Sequence, residues 1–342
     1  MKEIDIYFVA GQSNAGGTTK IIDAAALEAD NPALVTGTRP YIMYAGNSAG
    51  NTPDNTVTYD WCDVRVGLGC STSHMGPEVG MAKVFSSYYN KESGKVAGII
   101  KFAHGATGLC NTEANTKPDA EGRYAGNWSP PSYVPHAPDD PALSYKGFLY
   151  RGFIAEARTR LNALKAMGFE KINVKGLYWM QGCNDTWRYA IDRTWYPAAF
   201  ACLVSDMRAD ISKVMCEVQG NDGGALDMAV FIGTVSPAYR MGPITAKNGA
   251  VYTDNGEFLS ATRKRNDPFI AMQKQLAVDN ESCYVIDNNA YPNVLHTENA
   301  DGTVTYTVIG TDIAHPSQEQ CYAIGQNVGK SMLAVCTDYQ EK

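Results

Sequence analysis

The chain has no apolar run near the ~18–20 residues that a membrane-spanning helix needs, no clustered basic stripe, and no Cys/His set at zinc-site spacing. Each absence argues against a class: a helical membrane protein, a nucleic-acid binder, a zinc-stapled domain. It also lacks a repeat period, a Pro- or Ser-rich tract and a linker, so one domain over residues 1–342 is expected. Met1-Lys2-Glu3 runs straight into strand-like sequence without a signal-peptide core, which predicts a cytosolic protein, or a secreted or periplasmic one if a signal has been trimmed.

What is present fits an ordinary soluble globular protein: 342 residues, 44% apolar and 19% charged, with 29 basic against 36 acidic residues, a net charge of −7. The nine cysteines are an odd number. Cys62 and Cys70 flank a Gly-containing loop and can bridge, whereas Cys202, Cys216, Cys321 and Cys336 lie in apolar periodic context where a free thiol is commoner.

The chain is organised around Gly11-Gln12-Ser13-Asn14, which closes the short apolar run Ile4 to Ala10. Such a run reads as an inner strand of a parallel sheet, and ligand chemistry in those sheets sits at the strands' carboxyl ends. Gly11 permits a tight turn, and Ser13 is the candidate nucleophile; a plain polar turn is the bland alternative.

Further strand-like runs end in polar groups. Lys95 to Ala103 runs into His104-Gly105-Ala106-Thr107-Gly108, Ile172 to Met180 into Gln181-Gly182-Cys183-Asn184-Asp185, and 228–235 and 283–287 complete five strands. Helical spacing marks 77–90, 153–167, 197–214, 268–278 and the stretch after Ser317, where Ser317 and Gln320 form an S-x-x-Q capping box. Residues 15–75 and 111–147 read as loop insertions over the active-site edge. Tyr41, Tyr44, Tyr59 and Trp61 line either a sugar cleft or a satellite core, and Trp128, Tyr133 and His136 are possible substrate contacts. The alternation predicts an α/β protein, a three-layer α/β/α sandwich with a mostly parallel five-stranded sheet.

One edge of that sheet would gather Ser13, the Gly105 turn, Asn184 and His315. A serine hydroxyl needs a base to take its proton, and imidazole titrates in the useful range. His315 is the candidate base, and Asp312, three residues before it, can hold the imidazole's other N–H. Backbone N–H groups of Ser13 and Gly105 with the Asn184 amide are plausible oxyanion donors.

The blocks Gly11-Gln12-Ser13-Asn14, Gly76-Pro77-Glu78, Lys101-Phe102-Ala103-His104-Gly105-Ala106-Thr107, Trp179-Met180-Gln181-Gly182 and Asp312-Ile313-Ala314-His315-Pro316 occur in one order. In that order they resemble the SGNH (GDSL-like, flavodoxin-like) hydrolases, within them the sialate O-acetylesterase and carbohydrate esterase family 6 branch, which includes acetylxylan esterases. Two departures stand out: Cys183 where the branch usually has Glu, and Ala106 where it usually has a second glycine. Gly182-Cys183-Asn184-Asp185 resembles the wider superfamily's G-x-N-D block, implying Asn184 as oxyanion donor, whereas the closer branch implies Gln181. The resemblance implies a serine esterase without metal or cofactor that removes O-acetyl groups from carbohydrate, either acetylated xylan or O-acetylated sialic acid. Gln12, Asn14, Trp61 and His104 are the further candidates for substrate contact. Few positive charges cluster near these blocks, which favours a neutral glycan; Arg65 and Arg151 are the candidates for binding a carboxylate. A lipid or thioester hydrolase on the same fold, and a catalytically silent glycan-binding module, are the alternatives.

Overall fold

The computed structural model describes residues 2–34, 41–49, 56–109, 127–133, 147–186, 193–237 and 247–340. The first strand, β1 (Glu3–Gly11), leads through Gln12 into the one-turn helix α1 (Ser13–Gly16), then β2 (Thr19–Lys20) and α2 (Ala24–Asp30). Next come β3 (Ile42–Ala49), β4 (Thr56–Asp63), β5 (His74–Met75), α3 (Glu78–Phe85) and β6 (Ala97–His104). The central part is α4 (Phe148–Ala166), β7 (Lys171–Met180), α5 (Trp195–Gln219) and β8 (Ala229–Gly233). It ends with β9 (Val251–Asp254), α6 (Glu257–Asp279), β10 (Cys283–Ile286), β11 (Val294–Glu298), β12 (Val304–Val308) and α7 (Gln318–Cys336).

The main sheet has seven strands rather than five, in the order β10-β8-β7-β1-β6-β3-β4, parallel throughout except where β4 returns antiparallel to β3. The two extra strands lie in the stretch expected to be loop. β3 carries Ala45, Gly46, Asn47 and Ser48, a poor strand composition, and pairs with β6 through backbone bonds that composition does not report. In β4 the alternation of Val57, Tyr59 and Trp61 is a period-2 signal. A separate antiparallel sheet, β11-β12-β9, occupies residues near 251–308.

Side chains of β1 alternate between two cores, as pleating requires. Ile4, Ile6, Phe8 and Ala10 face α4 and α5 with Phe153, Trp179 and Phe200; Tyr7 and Val9 face α3 and α7 with Phe85, Val328 and Met332. Tyr44 is fully buried, its hydroxyl donating to the Leu68 carbonyl at 3.2 Å, while Tyr59 donates to Gly67 at 3.0 Å. These two rings are the satellite core, not a cleft. Trp128 and Tyr133 are also interior, and Trp128 stands edge-on to Trp179 at 5.1 Å, so neither is a surface contact; His136 lies outside the described residues. Cys62 and Cys70 are free thiols, so the bridge between them does not form. Among the described residues no helix is long and apolar enough to cross a membrane.

Between the sheet and α3 lies a fully buried ion pair. Lys101 Nζ of β6 stands 3.1 Å from Glu78 Oε1 of α3 and donates to the Leu68 carbonyl at 2.8 Å; the same Glu78 oxygen accepts from the Gly76 amide at 3.1 Å. Removing one member strands the other charge in an apolar interior. Lys101→Met is therefore expected to cost about 3–5 kcal/mol of stability, with part recovered in Lys101→Met/Glu78→Gln. Urea unfolding of the three proteins measures this, and a single-variant loss below about 1 kcal/mol would refute the pair's structural role.

Candidate active site

β1, β6 and β7 run in parallel, so Gly11, His104 and Met180 all finish at one edge of the sheet. Gly11 makes the exit of β1 possible. Its φ is +136°, and a Cβ there would lie 2.1 Å from the Met180 carbonyl oxygen, so only glycine lets the two strands end this close. Gln12 then caps α1, and Ser13 is the first helical residue, half-buried at the edge. The backbone N–H groups of Ser13 and Gly105 have no protein acceptor among the described residues.

His315 arrives from the far end of the chain on the loop between β12 and α7. Its Nδ1 is 2.9 Å from Asp312 Oδ2, while the other Asp312 oxygen accepts from the backbone amides of Ala314 (2.7 Å) and His315 (2.9 Å). One carboxylate thus both shapes the loop and orients the ring. Burial favours the neutral carboxyl, but the bonds to His315 and to the two amides outweigh it and hold Asp312 below the usual carboxylate range.

Hydrogen bonds tie this loop and the first residue of α7 to the stretch after β1. The Asn14 amide donates to the Ala314 carbonyl at 3.3 Å, Thr19 Oγ1 donates to Pro316 at 3.3 Å, the Lys20 amide to Thr311 Oγ1 at 3.3 Å, and the Ile22 amide to Gln318 Oε1 at 2.7 Å. The expected capping box on α7 is present, Ser317 Oγ accepting from the Gln320 amide and Gln320 Oε1 from the Ser317 amide, which fixes the loop's other end. Ser13, Asp312 and His315 are brought to the same edge by this arrangement.

Gln181 and Asn184 differ in burial and in their bonds. Gln181 is fully buried and its amide is consumed, Nε2 donating to the Thr107 carbonyl (3.1 Å) and to Asp185, Oε1 accepting from the Tyr196 hydroxyl (2.9 Å). Asn184 keeps 8% exposure and makes a longer bond, 3.4 Å, to the same Thr107 carbonyl. Ala106, at the position of the missing second glycine, adopts φ of +56°.

Three residues expected to touch substrate do not reach open surface there. Gln12 is 1% exposed and its carbonyl accepts from the Gly182 amide at 3.2 Å, so it braces the turn against β7. His104 is 5% exposed, lies 4.9 Å from the Phe102 ring, and burial pushes its pKa down to about 4, leaving a neutral ring in the core. Trp61 packs on Gly98, early in β6, and donates to the Arg160 carbonyl at 3.0 Å, at the opposite end of the strand. Of that set only Asn14 stays at the edge. A residue not singled out from the sequence is His74 on β5, whose Nδ1 lies 2.7 Å from Ser71 Oγ; burial first, then the charges of His315 and Lys20, lower its pKa.

The sequence model of the carbohydrate esterases, described as sialic acid-specific acetylesterase, matches residues 3–221. The chain belongs to this family. It is a carboxylic ester hydrolase. Among solved structures it is similar to NanS, with 14% identity over 97% of each chain and a TM-score of 0.54. It is also similar to Est24, a carbohydrate acetylesterase from Sinorhizobium meliloti, with 11% identity over 98% of this chain and 99% of that one and a TM-score of 0.40. A protein from Arabidopsis thaliana gives 13% identity over 97% and 98%, and 0.48. No curated protein matches the chain significantly.

Two predictions test the esterase's edge. Ala106→Gly relieves a left-handed non-glycine residue and is expected to stabilise by up to about 1 kcal/mol; a lower urea midpoint would show that the methyl packs favourably. Because Asp312 is depressed in the folded state, its contribution is fully present above the unfolded carboxylate pKa of about 4 and is lost as pH falls through the folded value. Asp312→Asn should therefore flatten the acid side of the stability–pH curve, and an unchanged curve counts against the assigned depression.

Proposed function

We propose that this carbohydrate esterase is a serine O-acetylesterase in which Ser13 is the nucleophile, His315 the base and Asp312 the group that orients it. The carrying observation is the 2.9 Å contact between His315 Nδ1 and Asp312 Oδ2 on a loop bonded through Asn14 to the Ser13 helix. With Nδ1–H given to the carboxylate, Nε2 is the free base. Among the described residues no bond closes between Ser13 Oγ and the imidazole; such contacts commonly tighten only with substrate bound.

Nε2 removes the Ser13 hydroxyl proton as Oγ attacks the acetyl carbonyl, and the oxyanion meets the N–H groups of Ser13 and Gly105, with Asn184 as the third donor. Gln181 is a poorer candidate because its amide is already consumed. Collapse expels the sugar oxygen, which takes the proton from His315 to become a hydroxyl, and leaves acetyl-Ser13; water, deprotonated by the same ring, attacks the acetyl carbon, and Ser13 Oγ takes that proton back as acetate leaves. Asp312 stays ionised throughout, which its depressed pKa supports. The family description favours O-acetylated sialic acid over acetylated xylan as the sugar.

Ser13→Ala and His315→Ala are each expected to lower kcat for acetate release from 4-nitrophenyl acetate by roughly 10⁴-fold or more, and Asp312→Asn by about 10²–10⁴-fold, with circular dichroism unchanged. O-acetyl sialic acid and acetylated xylan then rank the substrates. Retained turnover in Ser13→Ala would remove the nucleophile assignment; preference for long acyl chains would point to a lipid or thioester hydrolase, and sugar binding without turnover to a binding module.

A further inference from the structure

Behind the nucleophile turn is a small pocket with about 20 Å³ of water-sized space, lined by Asn14, Ser236, Asn288 and Asn293 together with apolar walls such as Met180 and Pro316. Each of these four polar side chains has a buried atom without a partner: Asn14 Oδ1, Ser236 Oγ, Asn288 Oδ1 and Asn293 Nδ2. Two of the amides have their orientation set by their other end. Asn288 Nδ2 donates to the Thr234 carbonyl at 2.9 Å and Asn14 Nδ2 to the Ala314 carbonyl at 3.3 Å, so in both the carbonyl oxygen is what remains. Ser236, Asn288 and Asn293 are 6%, 4% and 2% exposed, too buried for bulk solvent to satisfy them.

We propose that this cavity is a binding site for one ordered water molecule. A cavity holds a water once it offers roughly 10–15 Å³ of probe space and two to four polar partners, and this one offers room for about one. The donor count closes. The water donates its two hydrogens to Asn14 Oδ1 and Asn288 Oδ1, and accepts from Asn293 Nδ2 and the Ser236 hydroxyl, which completes four bonds and leaves none of the four atoms unpaired. A cation would suit the two amide oxygens but would meet the Asn293 N–H₂ with the wrong sign.

The site has a consequence for catalysis, and that half of the inference rests on the esterase reading. The water joins three segments that meet at the carboxyl edge: the nucleophile helix at Asn14, the exit of β8 at Ser236, and the 288–293 segment between β10 and β11. Held from one side by the water and from the other by Ala314, the Asn14 amide is a positioning residue that sets the spacing between the Ser13 helix and the His315 loop.

The test begins with a high-resolution crystal structure of the wild-type protein, which should show one low-B water within hydrogen-bond reach of all four side chains. An empty cavity, a side chain turned into it, or a metal ion would overturn the proposal. Asn293→Leu, which fills the space and removes a donor, and Ser236→Ala, which removes one bond, are then assayed for acetate release. Asn293→Leu should lower kcat about tenfold with KM little changed, the signature of misplaced catalytic groups rather than weakened binding, and Ser236→Ala less. If Asn293→Leu does not fold, Ser236→Ala carries the kinetic arm; wild-type kcat in the folded variants refutes the positioning role. Should Ser13→Ala keep its activity, the esterase reading fails while the density still decides the hydration site.

Discussion

The buried pair of Lys101 and Glu78 is the contact on which the seating of α3 and the carboxyl edge of the sheet depend. Two charges with no exposure are tolerated only when their geometry and hydrogen bonds offset the lost hydration; here the Leu68 carbonyl bonds Lys101 Nζ and the Gly76 amide bonds Glu78 Oε1, while Glu78 Oε2 is buried without a partner. The pair therefore dictates the path of 68–78 as well as the seating of α3 on the sheet. Gly17, which ends the nucleophile helix, lies against Gly76 so closely that a Cβ on it would stand 2.7 Å from the Gly76 nitrogen. The same Gly17 amide donates to the Ser13 carbonyl at 2.9 Å. A chain of short backbone contacts thus runs from a fully buried ion pair to the serine.

The α3 end of that chain also receives the histidine. α7, whose N-terminus anchors the Asp312–His315 loop, packs on α3 at Gly80 and Gly325, where a Cβ on Gly80 would lie 2.1 Å from the Tyr322 carbonyl. Helix backbones this close leave little room for sliding. Ser13 and His315 come from the two ends of the sequence, yet the segments that carry them both pack against α3 or the turn before it.

Around these groups the edge divides into a braced interior and an available surface. Gln12, Thr107, Gln181, Asp185 and Tyr196 bond one another below the edge, consuming their polarity. Ser13, Asp312 and His315 lie partly exposed above it. A polar residue inside a motif thus has two possible uses, and burial decides between them.

Elements with local signals are legible in the chain alone: the apolar run of β1, the helical spacing from Phe153 to Leu164, the Ser317 capping box and the strand ends that carry the polar blocks. The sequence also offers Ser13, Asp312 and His315 as candidates, because a nucleophile, a base and its partner must be particular residue types. Features that depend on distant neighbours are settled by the packing instead. β3 is a strand because β6 offers it backbone partners, despite Gly46, Asn47 and Ser48. Gln12 and His104 are interior and Trp61 lies at the wrong end of the sheet, since burial is a property of the packed layers and not of the motif. The same holds for the pairing of Glu78 with Lys101 and for the ring of unpaired amides behind Asn14: each is a contact between segments far apart in the chain, which no local pattern records.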